Sequence, residues 1–209
     1  MSRSQTKQSK PLIGLAGGVG AGKSEVARIL ESLGAAVIDS DRLAHEELDA
    51  PGVARTLREW WGSSVCTADG GVDRKAIGTI IFGNPGERAR LEALLYPRIR
   101  KRREALLEVY ESDPDIKAIV LDTPKLFEVG LDGICHTVIF VDADWAVRVR
   151  RVADARNWTE EELKRREIIQ DPLDMKKARA DHVISNQTDT EDLRREVERV
   201  FATVIGSVA

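Results

Sequence analysis

One stretch, Gly17-Gly18-Val19-Gly20-Ala21-Gly22-Lys23-Ser24, limits the folds open to this chain more than any other. It reads G-x-x-x-x-G-K-S, with both glycines, the lysine and the hydroxyl at the offsets of a phosphate-binding loop. Before it, Leu12, Ile13, Leu15 and Ala16 make a short apolar run that reads as a buried strand. After it, Val26, Ile29, Leu30 and Leu33 recur at helical spacing, and Gly34 is the expected stop. Glycines let successive backbone N–H groups turn into one concavity that suits an anion. The helix that follows adds the positive end of its dipole. In that setting Lys23 reaches the β- and γ-phosphates, Ser24 ligates Mg²⁺, and the chain binds a nucleoside triphosphate.

Other apolar runs end in polar residues. Ala35-Ala36-Val37-Ile38 leads into Asp39-Ser40-Asp41, and Ile119-Val120-Leu121 into Asp122. Val138-Ile139-Phe140-Val141 ends in Asp142, and His182-Val183-Ile184-Ser185 in Asn186. In an open parallel sheet, ligands sit beyond the carboxyl ends of the strands. These polar ends therefore predict a nucleotide crevice, with Asp122 near the metal in the Walker-B manner. On a strand exit, residues i and i+2 share a face. Asp39 and Asp41 are thus expected to work on one ligand, unless one of them caps the next helix. The fold class expected is α/β, a P-loop NTPase three-layer core with a parallel sheet, over residues 12–209.

Residues 42–115 carry helical patterns and almost no strand, far more than a βαβ crossover needs. They are expected to form a helical, substrate-binding insertion. Within it, Asp73 reads as an N-cap and Asn84-Pro85-Gly86 as a break, with a longer helix starting at Leu91 and bent at Pro97. Trp60 and Trp61 read as core, and the cluster Arg98, Arg100, Lys101, Arg102 and Arg103 as either a phosphate-facing patch or, the commoner case, a solvated face. A second helical stretch, residues 144–172, holds Arg148, Arg150, Arg151, Arg156, Arg165 and Arg166. It is expected to act as a lid that excludes water and stabilises charge on a transferring group, while most of its arginines pair with Glu160, Glu161, Glu162 and Glu167.

The 209 residues suffice for one α/β domain with an insertion, and the net charge of −3 offers no basic field for nucleic acid. No apolar run approaches the roughly 20 residues of a membrane span. Residues 1–11 read as a disordered tail without a secretory h-region. Two cysteines, Cys66 and Cys135, lack metal-ligand spacing and suit a reducing cytoplasm. His45 lies one helical turn after Asp41 and faces the acceptor in this scheme; His136 and His182 read as structural. The slots where a signalling GTPase carries D-x-x-G and N-K-x-D read Asp122-Thr123-Pro124-Lys125 and Asn186-Gln187-Thr188-Asp189, a poor match. A small-molecule kinase fits better; a kinase for another acceptor and a nucleotide-binding regulatory module are the alternatives.

Taken together, the chain after residue 11 resembles the dephospho-CoA kinase family. The resemblance rests on the glycine loop, Val37-Ile38-Asp39-Ser40-Asp41 with Ala44-His45, Asp69-Gly70 with Asp73-Arg74, and Asp122-Thr123-Pro124 with Leu126-Phe127-Glu128. Arg166 with Gln170 and Ala180-Asp181-His182-Val183-Ile184 with Asn186 complete it. It implies ATP and Mg²⁺ as cofactors and transfer of the γ-phosphoryl to the ribose 3′-hydroxyl of dephospho-CoA. It implies Asp41, Lys23 and Arg156 as catalytic, with Arg151 and Arg148 as alternates for the lid arginine. The loop from Gly18 to Glu25, with Asn186, would hold ATP; Asp39, Asp41, His45, Asp122 and Leu126 the acceptor; Ser24 and Asp122 the metal. A monomer or weak homo-oligomer is expected. Departures are Glu25 in place of threonine, Lys125 in place of an apolar residue, Tyr96-Pro97 in place of His-Pro, and Asn157-Trp158 in place of Asp-Gly.

Overall fold

The structure, a computed structural model, describes residues 10–67, 70–168, 170–187 and 190–207. The expected tail up to residue 9, Asp69 of the Asp69-Gly70 turn, and Thr188 and Asp189 lie outside the described residues. In chain order the elements are β1 (Leu12–Gly17), α1 (Lys23–Ser32), β2 (Ala35–Asp39), α2 (Ser40–Leu48), α3 (Pro51–Trp61), α4 (Arg74–Gly83) and α5 (Pro85–Ser112). Then follow β3 (Ala118–Asp122), β4 (Thr137–Asp142), α6 (Trp145–Arg156), α7 (Glu160–Glu167), α8 (Leu173–Ala178), β5 (His182–Ser185) and α9 (Thr190–Gly206). The chain divides into two compact units, Met1–Asp39 with Leu107–Ala209, and Ser40–Leu106.

The first unit is built on a five-stranded sheet of order β2-β3-β1-β4-β5, parallel at every pairing. Alternate residues of each central strand feed different cores, as the period of two requires. Ile13 and Leu15 of β1 and Ile139 and Val141 of β4 pack with Val26 and Leu30 of α1 and Val197 and Val200 of α9. Ala16, Val138 and Phe140 pack instead with Leu126, Phe127 and Leu131. This is the doubly covered parallel sheet that the apolar runs predicted. Gly34 closes α1 as expected, its N–H returning to Glu31 O at 3.0 Å.

Lys10 and Pro11, counted with the tail on composition, are tied to the fold. The Lys10 N–H donates to Glu111 Oε1 (3.0 Å) and its ammonium to Tyr110 O (2.7 Å) and Asp113 O, while Pro11 O accepts from Ile119 N–H (3.0 Å). Hydrogen bonds to a remote helix end carry no periodic signature in sequence.

The second unit has its own core, in which Leu48, Val53, Leu57, Val65, Ile77, Leu91 and Leu95 meet. Asp73 caps α4 as expected, accepting from Lys75 N–H (2.9 Å) and Ala76 N–H (3.0 Å). Asn84-Pro85-Gly86 is not a break before a later start: α5 runs unbroken over 28 residues from Pro85. Proline at the first helical position loses no bond, and Asn84 Oδ1 accepts from Gly86 N–H (3.0 Å) and Glu87 N–H (3.2 Å). Trp60 and Trp61 pack edge to face on the core, 5.8 Å between ring centres. Arg98 and Arg102 pair with Glu47 and Glu46. Among the described residues no helix is long and apolar enough to cross a membrane.

Candidate active site

Strand register brings the predicted polar ends of the first unit to one edge of its sheet. Leu15 lies opposite Asp122 on one side, and Gly17 opposite Val141 on the other. Asp39 is the register partner of Asp122, and Asp142 that of Ser185. The glycine loop leaves β1 between these ends and runs into the first turn of α1. Its shape depends on the absence of side chains. A Cβ on Gly17 (φ +142°) would lie 2.5 Å from Val141 O, and one on Gly22 (φ +95°) would overlap the Asn186 amide nitrogen.

Side chains from α6 and the end of β5 hold the loop from outside. Asn186, 5% exposed, donates from Nδ2 to Ala21 O (2.9 Å) and accepts at Oδ1 from Arg151 Nη2 (3.0 Å). Arg151 Nη1 also donates to Ala21 O (3.3 Å). Burial first, and neighbouring Arg150 second, lowers the pKa of Arg151. Arg148 lies against Gly18 and Val19, donating from Nη1 to Val19 O (3.4 Å) and from Nε to Ala143 O (3.2 Å). The Lys23 ammonium bonds Gly17 O (2.9 Å) and Gly18 O (3.1 Å), so it already sits over the loop.

Other expected residues stand as follows. Ser24 is exposed in the first turn of α1, at the loop's exit. Glu25 turns its carboxylate to Arg28, and its N–H bonds Gly22 O (3.0 Å). The pairing offsets the charge that Glu25 brings to a site next to the phosphate loop. Arg156, at the end of α6, stacks on Trp158 (4.8 Å), which Arg166 also covers (4.1 Å). Arg151 and Arg148, the alternates, both bond the loop. Asp41 and His45 belong to the second unit, both exposed on α2. The shared-face expectation for Asp39 and Asp41 fails locally: β2 ends at Asp39 and α2 begins at Ser40, so strand parity does not reach Asp41. Leu126, expected against the acceptor, is 1% exposed and packs beneath Gly14 of β1, supporting the site from the core. His136 is structural as expected, its Nδ1 accepting from Leu12 N–H at 3.0 Å.

Sequence reading passed over a buried anchor behind the site. Lys176, 2% exposed, pairs with Glu128 Oε1 (2.8 Å) and donates to Gln170 Oε1 (3.0 Å). Burial pushes the Glu128 pKa up, but Lys176 and the Asp171 N–H outweigh it and the net shift is downward. The anchor ties the loop after β3 to the segment after α7. Glu128 and Gln170 were named only for family resemblance, and nothing in the pattern marks a lysine as buried.

The donors within this unit are hard oxygens: Ser24 Oγ and the carboxylates of Asp39 and Asp122. Mg²⁺ is held by one or two carboxylates together with phosphate oxygens and water, so the set fits that ion. Among the described residues no cluster of three or more His, Cys, Asp or Glu forms an all-protein metal cage.

Residues 11–192 match the family model described as dephospho-CoA kinase. A dephospho-CoA kinase of Geobacter sulfurreducens is 39% identical over 194 residues, 91% of this chain and 97% of that protein. Among solved structures, the chain is similar to TT1252 from Thermus thermophilus, with a TM-score of 0.80, 33% identity, and coverage of 93% and 98% of the two chains. A dephospho-CoA kinase from Campylobacter jejuni shares the fold, with a TM-score of 0.70, 24% identity, and coverage of 95% and 98%.

Proposed function

Because this chain belongs to the dephospho-CoA kinase family, we propose that it transfers the γ-phosphoryl group of ATP to the 3′-hydroxyl of the dephospho-CoA ribose. The products are coenzyme A and ADP, in the last step of coenzyme A synthesis. What carries the proposal is the coincidence of the family match with a phosphate-binding loop flanked by Asp39 and Asp122 at the same strand ends. The loop amides and Lys23 hold the triphosphate, and the α1 dipole adds to their field. Ser24 and Asp122 would hold Mg²⁺, which supplies charge neutralisation at the phosphates when bound.

Phosphoryl transfer passes through a loose transition state, so positioning and charge stabilisation dominate. The acceptor oxygen forms its bond to the γ-phosphorus as the bond to the β,γ-bridging oxygen breaks. Asp41 orients the hydroxyl and takes its proton late. A lid arginine meets charge on the transferring group; Arg151 and Arg148 are bonded to the loop, and Arg156 retains the role implied by family resemblance. The protein acts in the cytoplasm on a small molecule, as a monomer or weak homo-oligomer, without nucleic acid or membrane.

The test is ADP release with Mg-ATP across a panel of acceptors. Turnover with dephospho-CoA and little with AMP, gluconate or shikimate is expected. Equal or greater turnover on another acceptor would refute the substrate assignment.

A further inference from the structure

Glu167, the last residue of α7, does not pair along its own helix. Its Oε1 accepts from the Val19 N–H of the glycine loop at 3.2 Å and forms an ion pair with Arg148. Both partners are withdrawn from water, Arg148 at 6% side-chain exposure and Glu167 at 19%. A Cβ built on Gly18 would lie 3.0 Å from Glu167 Oε1, so the carboxylate is packed directly against the loop.

A carboxylate is an unusual tenant there. A backbone N–H of a phosphate loop and a guanidinium beside it are the groups that bind phosphate oxygens best. Here both are taken by an internal anion. Arg148 is also held by Ala143 O (3.2 Å) and Val19 O (3.4 Å), and its guanidinium lies 5.0 Å from the Trp145 ring centre. Removing the carboxylate therefore changes the charge at the loop more than its shape. Glu167 also lines a cavity of about 510 Å³ that Lys164, Gln170 and Asp171 share, which offers a displaced carboxylate room.

We propose that Glu167 is an internal competitor for the phosphate-binding loop. Its carboxylate occupies the Val19 N–H and the Arg148 guanidinium, and the triphosphate must displace it to bind. Glu167 thereby sets the affinity for the nucleotide, and displacement releases Arg148 for the phosphates. The proposal rests on the reading of the loop as the ATP site.

The test is the Kd of Mg-ATP for the full chain, measured calorimetrically for the wild type, Glu167→Gln and Glu167→Asp, with steady-state kinetics beside it. Glu167→Gln should bind about tenfold more tightly, since a charged hydrogen bond no longer has to be broken. KM for ATP should fall with Kd. Glu167→Asp, one methylene shorter, should bind more tightly than wild type by a smaller factor. A Kd for Glu167→Gln equal to or weaker than wild type would mean that Glu167 merely braces the loop, and would overturn the proposal. Should Glu167→Gln fold poorly, weaker binding by Glu167→Asp would overturn it equally. A wild-type chain that bound no ATP, with Lys23→Ala indistinguishable from it, would instead remove the nucleotide site itself and the proposal with it.

Discussion

Single residues at this site owe their roles to where one strand or helix turn delivers them. Asp39 and Asp122 lie in register because β2 and β3 pair in parallel and both end there. Asn186 braces the loop, its carboxamide donating to Ala21 O and accepting from Arg151. The proposed function gives Asp41 the acceptor hydroxyl. Asp41→Asn keeps size and removes the late proton acceptor, so kcat should fall about 10²- to 10⁴-fold. The Kd of Mg-ATP, held by the loop, should be unchanged in calorimetry. A kcat near wild type would take Asp41 out of the mechanism.

At the level of elements, the buried Lys176–Glu128 pair joins α8 to the loop after β3. Replacing both partners with apolar residues is often tolerated, whereas removing one strands a buried charge. The Glu128 pKa is depressed below the ordinary value of 4.5 in the folded chain. In the window below 4.5 the unfolded chain binds the proton more readily, so stability rises with pH there. The stabilisation is present above the unfolded value and is lost as pH falls through the folded one. Melting temperature measured against pH should therefore drop more steeply below pH 4.5 in wild type than in Glu128→Gln. Parallel curves would show that the pair does not couple folding to this proton. Along α7, Arg166–Glu162 is one of the arginine–glutamate pairs that charge spacing predicted, and Lys164 pairs with Glu160, but Glu167 reaches across to Arg148.

On the scale of the whole molecule, the chain carries two units with separate cores. Leu57 is fully buried in the second. Leu57→Ala should cost about 2–5 kcal/mol in denaturant unfolding of that unit. Mg-ATP affinity, which the proposed function assigns to the loop of the first unit, should stay near wild type while turnover falls. Loss of ATP binding in step with the second core would show that the loop depends on it. The doubly covered parallel sheet, the glycine loop and the capped α4 were all legible in the chain, because local periodicity, glycine spacing and capping act within a few residues. The early start of α5 was misread because Pro85 signals a break when taken alone and a helix start when Asn84 caps it. Sequence by itself thus determined the sheet, the loop and the family, since these are written in short-range pattern. Only the tertiary structure decided which charges meet. Arg151 on Ala21, Glu167 on Val19 and Lys176 on Glu128 are pairings across long stretches of chain, and burial, which no local pattern specifies, is what makes them matter.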